Sequence, residues 1–326
     1  MKMTMNEQIP IFIVSTGRCG STFVTHLLRN HPDILSLSEF WPNRVNLKEL
    51  FSDEEMSGKT YIDLLSVPMA QDIFKIALTE KTQVPKETLH ETNYIRRITL
   101  PTLVEDYDQL FNDIGEYTKK LPEAKPAVHI LKIFDFIKEK MRKKVWVERT
   151  GASLDFLHRW KKMWPNLKLI HIYRDGRNCA ISMSKHPAFK QQIIRTEIDK
   201  SVTFYNIVPL DPDLVSIEEF TKREIPLERY GELWNTMIMN GLDELKEVPG
   251  NQCFSMSYES LVENTEFQLR RLINFIDPDL ESDEWIKKQL MLVHPGRSSW
   301  EELDDRQKER LTISCEDGLR RLNYIK

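Results

Sequence analysis

Residues 9–22 read IPIFIVSTGRCGST and combine two structural signals. The first part, residues 9–14, is a short apolar run rich in isoleucine, which predicts a buried strand of a parallel sheet. Apolar side chains then recur at helical spacing over residues 21–30, and Pro32 follows, so we expect a helix that ends there. The segment is therefore predicted to form a buried strand, a tight turn and a helix.

The turn in this segment has the composition of an anion-binding loop. Gly17 and Gly20 permit tight backbone geometry, Ser21 and Thr22 add hydroxyl donors, and Arg18 adds a permanent positive charge. Backbone N–H groups at the start of the next helix favour a phosphate or sulfate. A Walker A loop needs a lysine that is absent here, which disfavours an ATPase or GTPase. The alternative is a plain connection whose glycines serve only the turn.

A second anion site is predicted near the middle of the chain. Residues 144–173 read as strand, helix and strand, so we expect a mostly parallel sheet. Arg174 follows the later strand, and Asp175 is expected to cap the next helix. Ser182 lies eight positions after Arg174, about two helical turns along, where one phosphate would reach both side chains. Two anion sites at one sheet edge predict a ligand with two separated phosphates.

These motifs resemble those of the PAPS-dependent sulfotransferases, which use 3′-phosphoadenosine 5′-phosphosulfate (PAPS) as donor. The family's 5′-phosphosulfate loop is similar to the chain's loop, with cysteine replacing the usual serine. Its 3′-phosphate motif is similar to residues 174–182, and residues 146–150, WVERT, lie where relatives often have K-T-P. Two further similarities lie in residues 257–261 and in a late basic segment, residues 296–300. The nucleotide-binding residues implied by the resemblance are Gly17, Arg18, Cys19, Gly20, Ser21, Thr22, Arg174, Ser182, Tyr258, Arg297 and Ser298.

The resemblance also implies a fold and a chemistry. The expected fold is α/β, with a central, mostly parallel sheet flanked by helices, the P-loop-like sulfotransferase fold with helical insertions. PAPS would be the co-substrate and PAP, the desulfated nucleotide, the product, without a metal. Sulfuryl transfer is an in-line displacement that depends on positioning and on stabilising the leaving oxygens. Arg18 is expected to stabilise that charge as a catalytic clamp.

The acceptor must lose a proton, and the resemblance indicates a general base. Relatives that act on phenols and steroids use the histidine of a K-T-H motif, whereas the matching place here reads Arg149-Thr150-Gly151. Protein-tyrosine and trehalose sulfotransferases use a glutamate just after the second strand, and Glu39 occupies that place. Glu39 is therefore the candidate catalytic base. An ordinary exposed carboxylate is the other interpretation of Glu39.

Other side chains near these motifs have open interpretations. Arg149 is expected either to touch the sulfuryl oxygens or to form a salt bridge with Glu148 or Asp155. His186 and His294 lie beside prolines and are alternative bases. The histidines show no ligand spacing, so no metal site is predicted.

The composition of the chain limits the kinds of molecule that it is expected to bind. The 326-residue chain carries a formal net charge of −4, which gives no global basic field for nucleic acid. Four scattered cysteines without a CxxC pair argue against a zinc site or a disulfide framework. The apolar run at residues 9–14 is too short for a membrane span. We therefore expect a cytoplasmic protein with a small-molecule acceptor and neither nucleic-acid nor membrane partners.

The organisation along the chain is predicted to be a single domain over residues 1–326. A helix-rich insertion is expected at about 43–140, and an irregular lid or acceptor wall at about 186–226. Further elements are predicted as strands at residues 34–38 and 253–257 and helices at 227–247 and 266–276. A nucleotide or nucleoside kinase and a non-catalytic PAP-binding protein remain the alternative functions.

Overall fold

A five-stranded sheet forms the centre of the computed structural model, which describes residues 9–40, 47–67, 93–198, 215–293 and 299–326. Its strand order is β2-β3-β1-β4-β5, and every neighbouring pair is parallel. The strands are β1 (Ile11–Val14), β2 (Ile34–Ser38), β3 (Val145–Arg149), β4 (Lys168–Tyr173) and β5 (Cys253–Ser257). The predicted α/β fold with a parallel sheet flanked by helices is confirmed.

Helices make up most of the remaining described chain. They are α1 (Ser21–Arg29), α2 (Leu47–Leu50), α3 (Gly58–Leu65), α4 (Tyr107–Thr118), α5 (Pro126–Lys140), α6 (Leu157–Met163), α7 (Gly176–Ser184), α8 (Pro187–Ile198), α9 (Ile217–Lys222), α10 (Leu227–Lys246), α11 (Tyr258–Glu263), α12 (Thr265–Ile276), α13 (Asp283–Leu290), α14 (Asp305–Ser314) and α15 (Glu316–Arg321). A π-helical segment, Ile95–Thr99, continues into a 3₁₀ turn at Leu100–Thr102. Further 3₁₀ turns lie at Ser153–Phe156, Gly250–Gln252, Pro278–Leu280 and Ser299–Glu302.

The core lies on both faces of β1, because all four of its residues are buried. On one face the Phe12 ring stacks on Trp160 of α6 at 4.4 Å between centroids and meets Trp146 of β3 edge-on at 5.9 Å. Trp146 in turn meets Phe134 of α5 at 4.9 Å. Alternate residues of a strand point to opposite faces, so Arg149 faces away from Trp146 and toward α1. The helices therefore cover both sides of the sheet.

Several predicted boundaries agree with the structure. The strands at residues 34–38 and 253–257 are confirmed, and Asp175 caps α7 by accepting the N–H of Arg177. The region at about 186–226 was expected to be irregular, but its described residues include the helices α8 and α9. Its role as a lid or acceptor wall stays a prediction. Pro187 is the first residue of α8 and Pro226 precedes α10, positions where proline does not disrupt a helix. Residues 199–214 of that region lie outside the described residues.

The parallel arrangement determines where the site lies. Since all five strands run in the same direction, the residues that follow them meet at one edge of the sheet. The anion loop follows β1, Glu39 follows β2, Thr150 follows β3, Arg174 follows β4 and Tyr258 follows β5.

Candidate functional site

The loop between β1 and α1 turns through three residues in the left-handed backbone region. Gly17 and Gly20 have φ angles of +80° and +91°, and Arg18 has a φ of +59°. Gly20 also lies against the ring of Tyr258, where an added Cβ would come within 2.3 Å of a ring carbon. Both the backbone conformation and the neighbouring ring therefore require glycine at position 20.

Hydrogen bonds within the loop hold its shape. The Ser15 hydroxyl donates to Ser21 Oγ over 3.2 Å and accepts the N–H of Gly17, also over 3.2 Å. The N–H of Ser15 donates to Ser153 Oγ, which ties the loop to the turn after β3. Helix α1 begins at Ser21, and the first N–H groups of a helix have no partner within the helix. The loop and the start of α1 thus hold several hydrogen-bond donors close together in a fixed arrangement, which suits the binding of an anion.

Cys19 departs from its predicted role. Its side chain is fully buried, and its thiol donates to the carbonyl of Ile172 in β4 over 3.2 Å. Burial raises the pKa of this thiol, so it is held in the uncharged form. The Cys19 side chain therefore anchors the loop to the sheet and cannot contact a nucleotide, so the predicted role of this residue is confined to its backbone.

The two predicted anion motifs meet in the structure although they are far apart in sequence. Arg18 Nε donates to Ser182 Oγ of α7 over 3.0 Å, across 164 positions of sequence. Nearby, the Arg174 guanidinium lies over the Tyr258 ring, 4.6 Å from its centroid, and that ring covers Gly20. Residues that follow β1, β4 and β5 are therefore in contact with one another at this edge of the sheet.

Arg174 has unused hydrogen-bonding capacity. Its Nε is buried and has no hydrogen-bond partner among the described residues, and the closest carboxylate oxygen, Glu259 Oε1, is 4.0 Å away. Glu259 is already engaged, because it accepts the N–H of Asp175 over 3.2 Å and the hydroxyl of Tyr324 over 2.7 Å. Burial and this carboxylate raise the pKa of Tyr324, which keeps the phenol protonated as a donor. An anion at Arg174 would satisfy a donor that the described chain leaves unpaired.

Glu39 occupies a strained position at the end of β2. Its φ of +59° lies in the left-handed region, where a residue with a side chain is uncommon. Its carboxylate forms an ion pair with Arg149 and accepts the N–H of Gly151 over 3.2 Å. An added Cβ at Gly151 would lie 3.3 Å from Glu39 Oε1, so the glycine leaves room for this contact. Glu39 is thus a partly buried, oriented carboxylate rather than a freely exposed one.

Arg149 links Glu39 to the anion loop. Its guanidinium donates to Thr22 Oγ1 over 2.8 Å and to Thr25 Oγ1 over 3.4 Å, both in α1. Of the two interpretations of Arg149, the one with a salt bridge named Glu148 or Asp155 as the partner, whereas the ion pair in the structure is with Glu39. Ser38 and Arg149 are paired in the parallel register of β2 and β3, which places Glu39 beside Arg149. The sequence did not indicate that these two strands are neighbours.

The residues that remain to be placed are three histidines and two residues of the late basic segment. His171 is buried within β4, where burial lowers its pKa to about 4, so it is a core histidine. His186 accepts the N–H of Ala188 through Nδ1 over 3.3 Å. The residues that lie outside the described chain are His294, Arg297 and Ser298.

The C-terminal segment that follows these residues packs against α7. Trp300 donates its N–H to Asn178 Oδ1 over 3.2 Å, and its ring lies 3.6 Å from the guanidinium carbon of Arg177. Arg177 is itself paired with Asp175 at 2.6 Å. Side chains of the predicted 3′-phosphate motif therefore also hold the C-terminal segment in place.

Two kinds of feature are absent from the described ranges. No group of three or more His, Cys, Asp or Glu side chains there is arranged to hold a metal ion. None of the helices in this part of the chain combines the length and apolar character needed to cross a membrane.

The sequence pattern of the sulfotransferase family matches residues 10–208, more than half of the chain. The chain belongs to the sulfotransferase family. The matched range includes the predicted anion loop, Glu39, Arg149 and the Arg174–Ser182 motif. Membership supports sulfuryl transfer in general as the activity of this sulfotransferase. No curated protein matches it in sequence.

Solved sulfotransferase structures resemble this family member at low sequence identity. The sulfotransferase domain of the Synechococcus PCC 7002 olefin synthase is 15% identical, with a TM-score of 0.49 over 100% of this chain and 98% of that domain. Sulfotransferase STF9 from Mycobacterium avium is 13% identical, with a TM-score of 0.49 over 97% of this chain and 77% of its own. Mouse sulfotransferase SULT7A1, crystallised with PAP, is 12% identical, with a TM-score of 0.42 over 97% and 85%.

Proposed function

We propose that the chain transfers the sulfuryl group of PAPS to a hydroxyl or amine of a small acceptor and releases PAP. The observation that carries this proposal is the meeting of two anion motifs at one sheet edge, where Arg18 donates to Ser182. PAPS has two phosphate-bearing ends, and a nucleotide with that charge distribution fits two separate donor clusters. Family membership supports the same chemistry.

The nucleotide would be held by groups from three strand ends. The loop residues Gly17 to Thr22 and the start of α1 would bind the 5′-phosphosulfate through backbone N–H groups and hydroxyls. Arg174 and Ser182 would bind the 3′-phosphate. Two features of the chain fit such a ligand: the buried Arg174 Nε without a partner, and Gly20, whose missing side chain keeps the loop close to Tyr258.

Transfer itself would depend on Glu39 and Arg18. Glu39 would accept the proton of the acceptor hydroxyl or amine, since its carboxylate is oriented by Gly151 and Arg149. Arg18, which stays protonated, would stabilise charge on the leaving phosphate oxygens. Arg149 connects Glu39 to Thr22 at the start of α1, and it would contact the sulfuryl oxygens between them.

The class of acceptor and the cellular compartment are inferred from the cysteines and the net charge. We infer a small-molecule acceptor and a reducing compartment such as the cytoplasm, with Cys19, Cys179, Cys253 and Cys315 as free thiols. The net charge of −4 supports a partner other than nucleic acid.

Isothermal titration with PAP, and with ATP in the absence and presence of magnesium, tests the donor. We expect micromolar PAP binding without metal, tighter than ATP binding, and its loss in Arg174→Ala. Arg306→Ala, which removes an exposed arginine of α14, is the control and should bind PAP like the wild type. Magnesium-dependent ATP binding with no response to PAP would contradict the proposal and favour a kinase.

A further inference from the structure

Glu148 is a buried carboxyl next to the site that the proposed mechanism does not use. It is 0% exposed and occupies the penultimate position of β3, on the face opposite to Arg149. Its Oε1 accepts the hydroxyl of Thr150 over 2.6 Å and the N–H of Phe40 over 3.2 Å. Its Oε2 is buried and has no hydrogen-bond partner among the described residues.

The hydrogen bond to Phe40 matters because Phe40 directly follows Glu39. The peptide group between these residues is held at both ends: Phe40 N–H donates to Glu148, and the Glu39 carbonyl accepts the hydroxyl of Thr99 over 2.9 Å. A third bond, from Glu39 N–H to the carbonyl of Arg149 at 2.7 Å, holds the preceding peptide. These contacts oppose rotation of the peptides on either side of Glu39.

Such restraint is needed because the Glu39 backbone is in an unfavourable conformation. A left-handed residue with a side chain persists only where its surroundings determine it. The left-handed turn directs the Glu39 carboxylate toward Arg149 and Gly151 rather than into solvent. Without the Phe40 and Thr99 contacts, the chain after β2 could relax to an ordinary conformation and redirect the side chain.

We propose that Glu148 is a positioning residue for the catalytic base: it holds the Glu39–Phe40 peptide in the left-handed turn that orients the Glu39 carboxylate. This inference rests on the proposed function only in calling Glu39 the base. A neutral carboxyl suits this role, because burial disfavours a charge here while the carboxyl still has an oxygen that accepts the N–H of Phe40. Burial raises the pKa of Glu148 to about 8. The hydrogen bonds from Thr150 and Phe40 and the charge of Arg149 act in the opposite direction, and the nearby Glu39 adds a smaller increase.

Substitutions at both ends of the peptide test the proposal. Glu148→Gln keeps a neutral oxygen acceptor and should retain turnover within about twofold of the wild type. Glu148→Leu removes the acceptor, and Thr99→Val frees the other end of the same peptide. Both should lower kcat at least about tenfold, with the PAP dissociation constant changed less than about twofold, because neither side chain contacts the predicted nucleotide residues. Crystal structures should show a positive φ at Glu39 in Glu148→Gln and its loss in Glu148→Leu.

Asp135→Ala is the matched control, since it removes a buried carboxyl that accepts a hydrogen bond from Trp146 on the same face of β3. It should lower stability while kcat and the Glu39 conformation stay unchanged. Equal kcat in Glu148→Leu and wild type, or an equal loss in Glu148→Gln and Glu148→Leu, would overturn the positioning role. If Glu148→Leu does not fold, Thr99→Val with wild-type kcat overturns it. Absence of PAP binding in the wild type would instead refute the proposed function. The φ angle of Glu39 in the crystal structures of the Glu148 variants would still test whether Glu148 holds the left-handed turn.

Discussion

At the scale of single residues, the candidate site contains two acidic side chains that lie close together in different surroundings. Glu39 is partly exposed and paired with Arg149, whereas Glu148 is fully buried and has its pKa raised to about 8. The two carboxyls accordingly have different proposed roles: Glu39 would accept the proton of the acceptor, and the buried Glu148 would hold a backbone N–H group.

We expect Glu39→Gln to lower turnover by about two to four orders of magnitude, because the amide cannot accept the acceptor's proton. PAP affinity should change less than twofold, since Glu39 lies outside the predicted nucleotide-binding residues. Steady-state kinetics with PAPS and calorimetry with PAP measure the two effects. Glu105→Gln, at an exposed position in the 3₁₀-to-α4 connection, is the control. A fully active Glu39→Gln enzyme would remove Glu39 as the base.

We also expect Glu148 to give the protein a measurable pH dependence of stability. Its folded pKa of about 8 exceeds its ordinary value of 4.5, so the folded state holds a proton that the unfolded state releases between these pH values. The contribution is complete below about pH 4.5 and is lost as the pH rises through 8, at up to about 1.4 kcal/mol per pH unit. Glu148→Gln should therefore gain stability relative to the wild type as pH rises.

Urea unfolding of both proteins at pH 5, 7 and 9 measures this difference. The two stability curves should diverge between pH 5 and 9, with Glu148→Gln the more stable at the alkaline end. Curves that stay parallel over this range would show that Glu148 is already ionised in the folded protein at pH 5.

At the scale of elements, the connection between β1 and α1 carries the proposed anion site. Its backbone passes through three left-handed residues, its Cys19 thiol is bonded to β4, and Ser15 is bonded to the turn after β3. The loop is thus fixed to its neighbours on both sides of β1. Donors held in place before a ligand arrives bind it with a smaller loss of conformational entropy.

We expect Gly20→Ala to lower PAP affinity at least about tenfold and to reduce the free energy of unfolding by about 1–2 kcal/mol, the usual cost of a side chain in the left-handed region. The contact with Tyr258 adds to that cost, since the new Cβ would overlap the ring. Calorimetry and urea unfolding measure the two quantities. Gly115→Ala within α4, where an added Cβ meets nothing within 4 Å, should instead stabilise slightly and leave PAP binding unchanged. Wild-type affinity in Gly20→Ala would show that the loop does not bind the nucleotide.

At the scale of the whole molecule, one aromatic core supports the strands that carry the site. Phe12, Trp146 and Trp160 are each fully buried and come from β1, β3 and α6. Their packing holds β1 against β3, which places the anion loop beside Glu39 and Arg149. Loss of this core would therefore disturb the site and the fold together.

We expect Trp160→Ala to lower the free energy of unfolding by about 3–5 kcal/mol, because it leaves a cavity under the Phe12 ring. Phe267→Ala removes a large aromatic side chain that is 61% exposed on α12 and should change stability by less than about 0.5 kcal/mol. Urea unfolding of the three proteins compares these effects. Similar losses in the two variants would show that the core does not dominate the stability.

Much of the site could be predicted from local sequence. The pattern of strand, glycine-containing turn and helix indicated the anion loop, and the spacing of Arg174 and Ser182 indicated the second site. Glu39 was reached through a family resemblance, because a glutamate after a strand has no distinctive local signal. Its partnership with Arg149 and the contact of Phe40 with Glu148 could not be predicted, since both depend on the pairing of β2 with β3.

The sequence by itself determined the class of fold and the chemistry of the donor groups, since hydrophobic periodicity, glycine positions and arginine charges act within a few residues. Tertiary structure alone decided which of these groups meet. It placed Arg18 against Ser182, turned Cys19 into the core, paired Arg149 with Glu39 and buried Glu148 beside them. The physical reason is that strand order and burial arise from packing between distant segments, and these two properties set the distances and pKa values on which the proposed reaction depends.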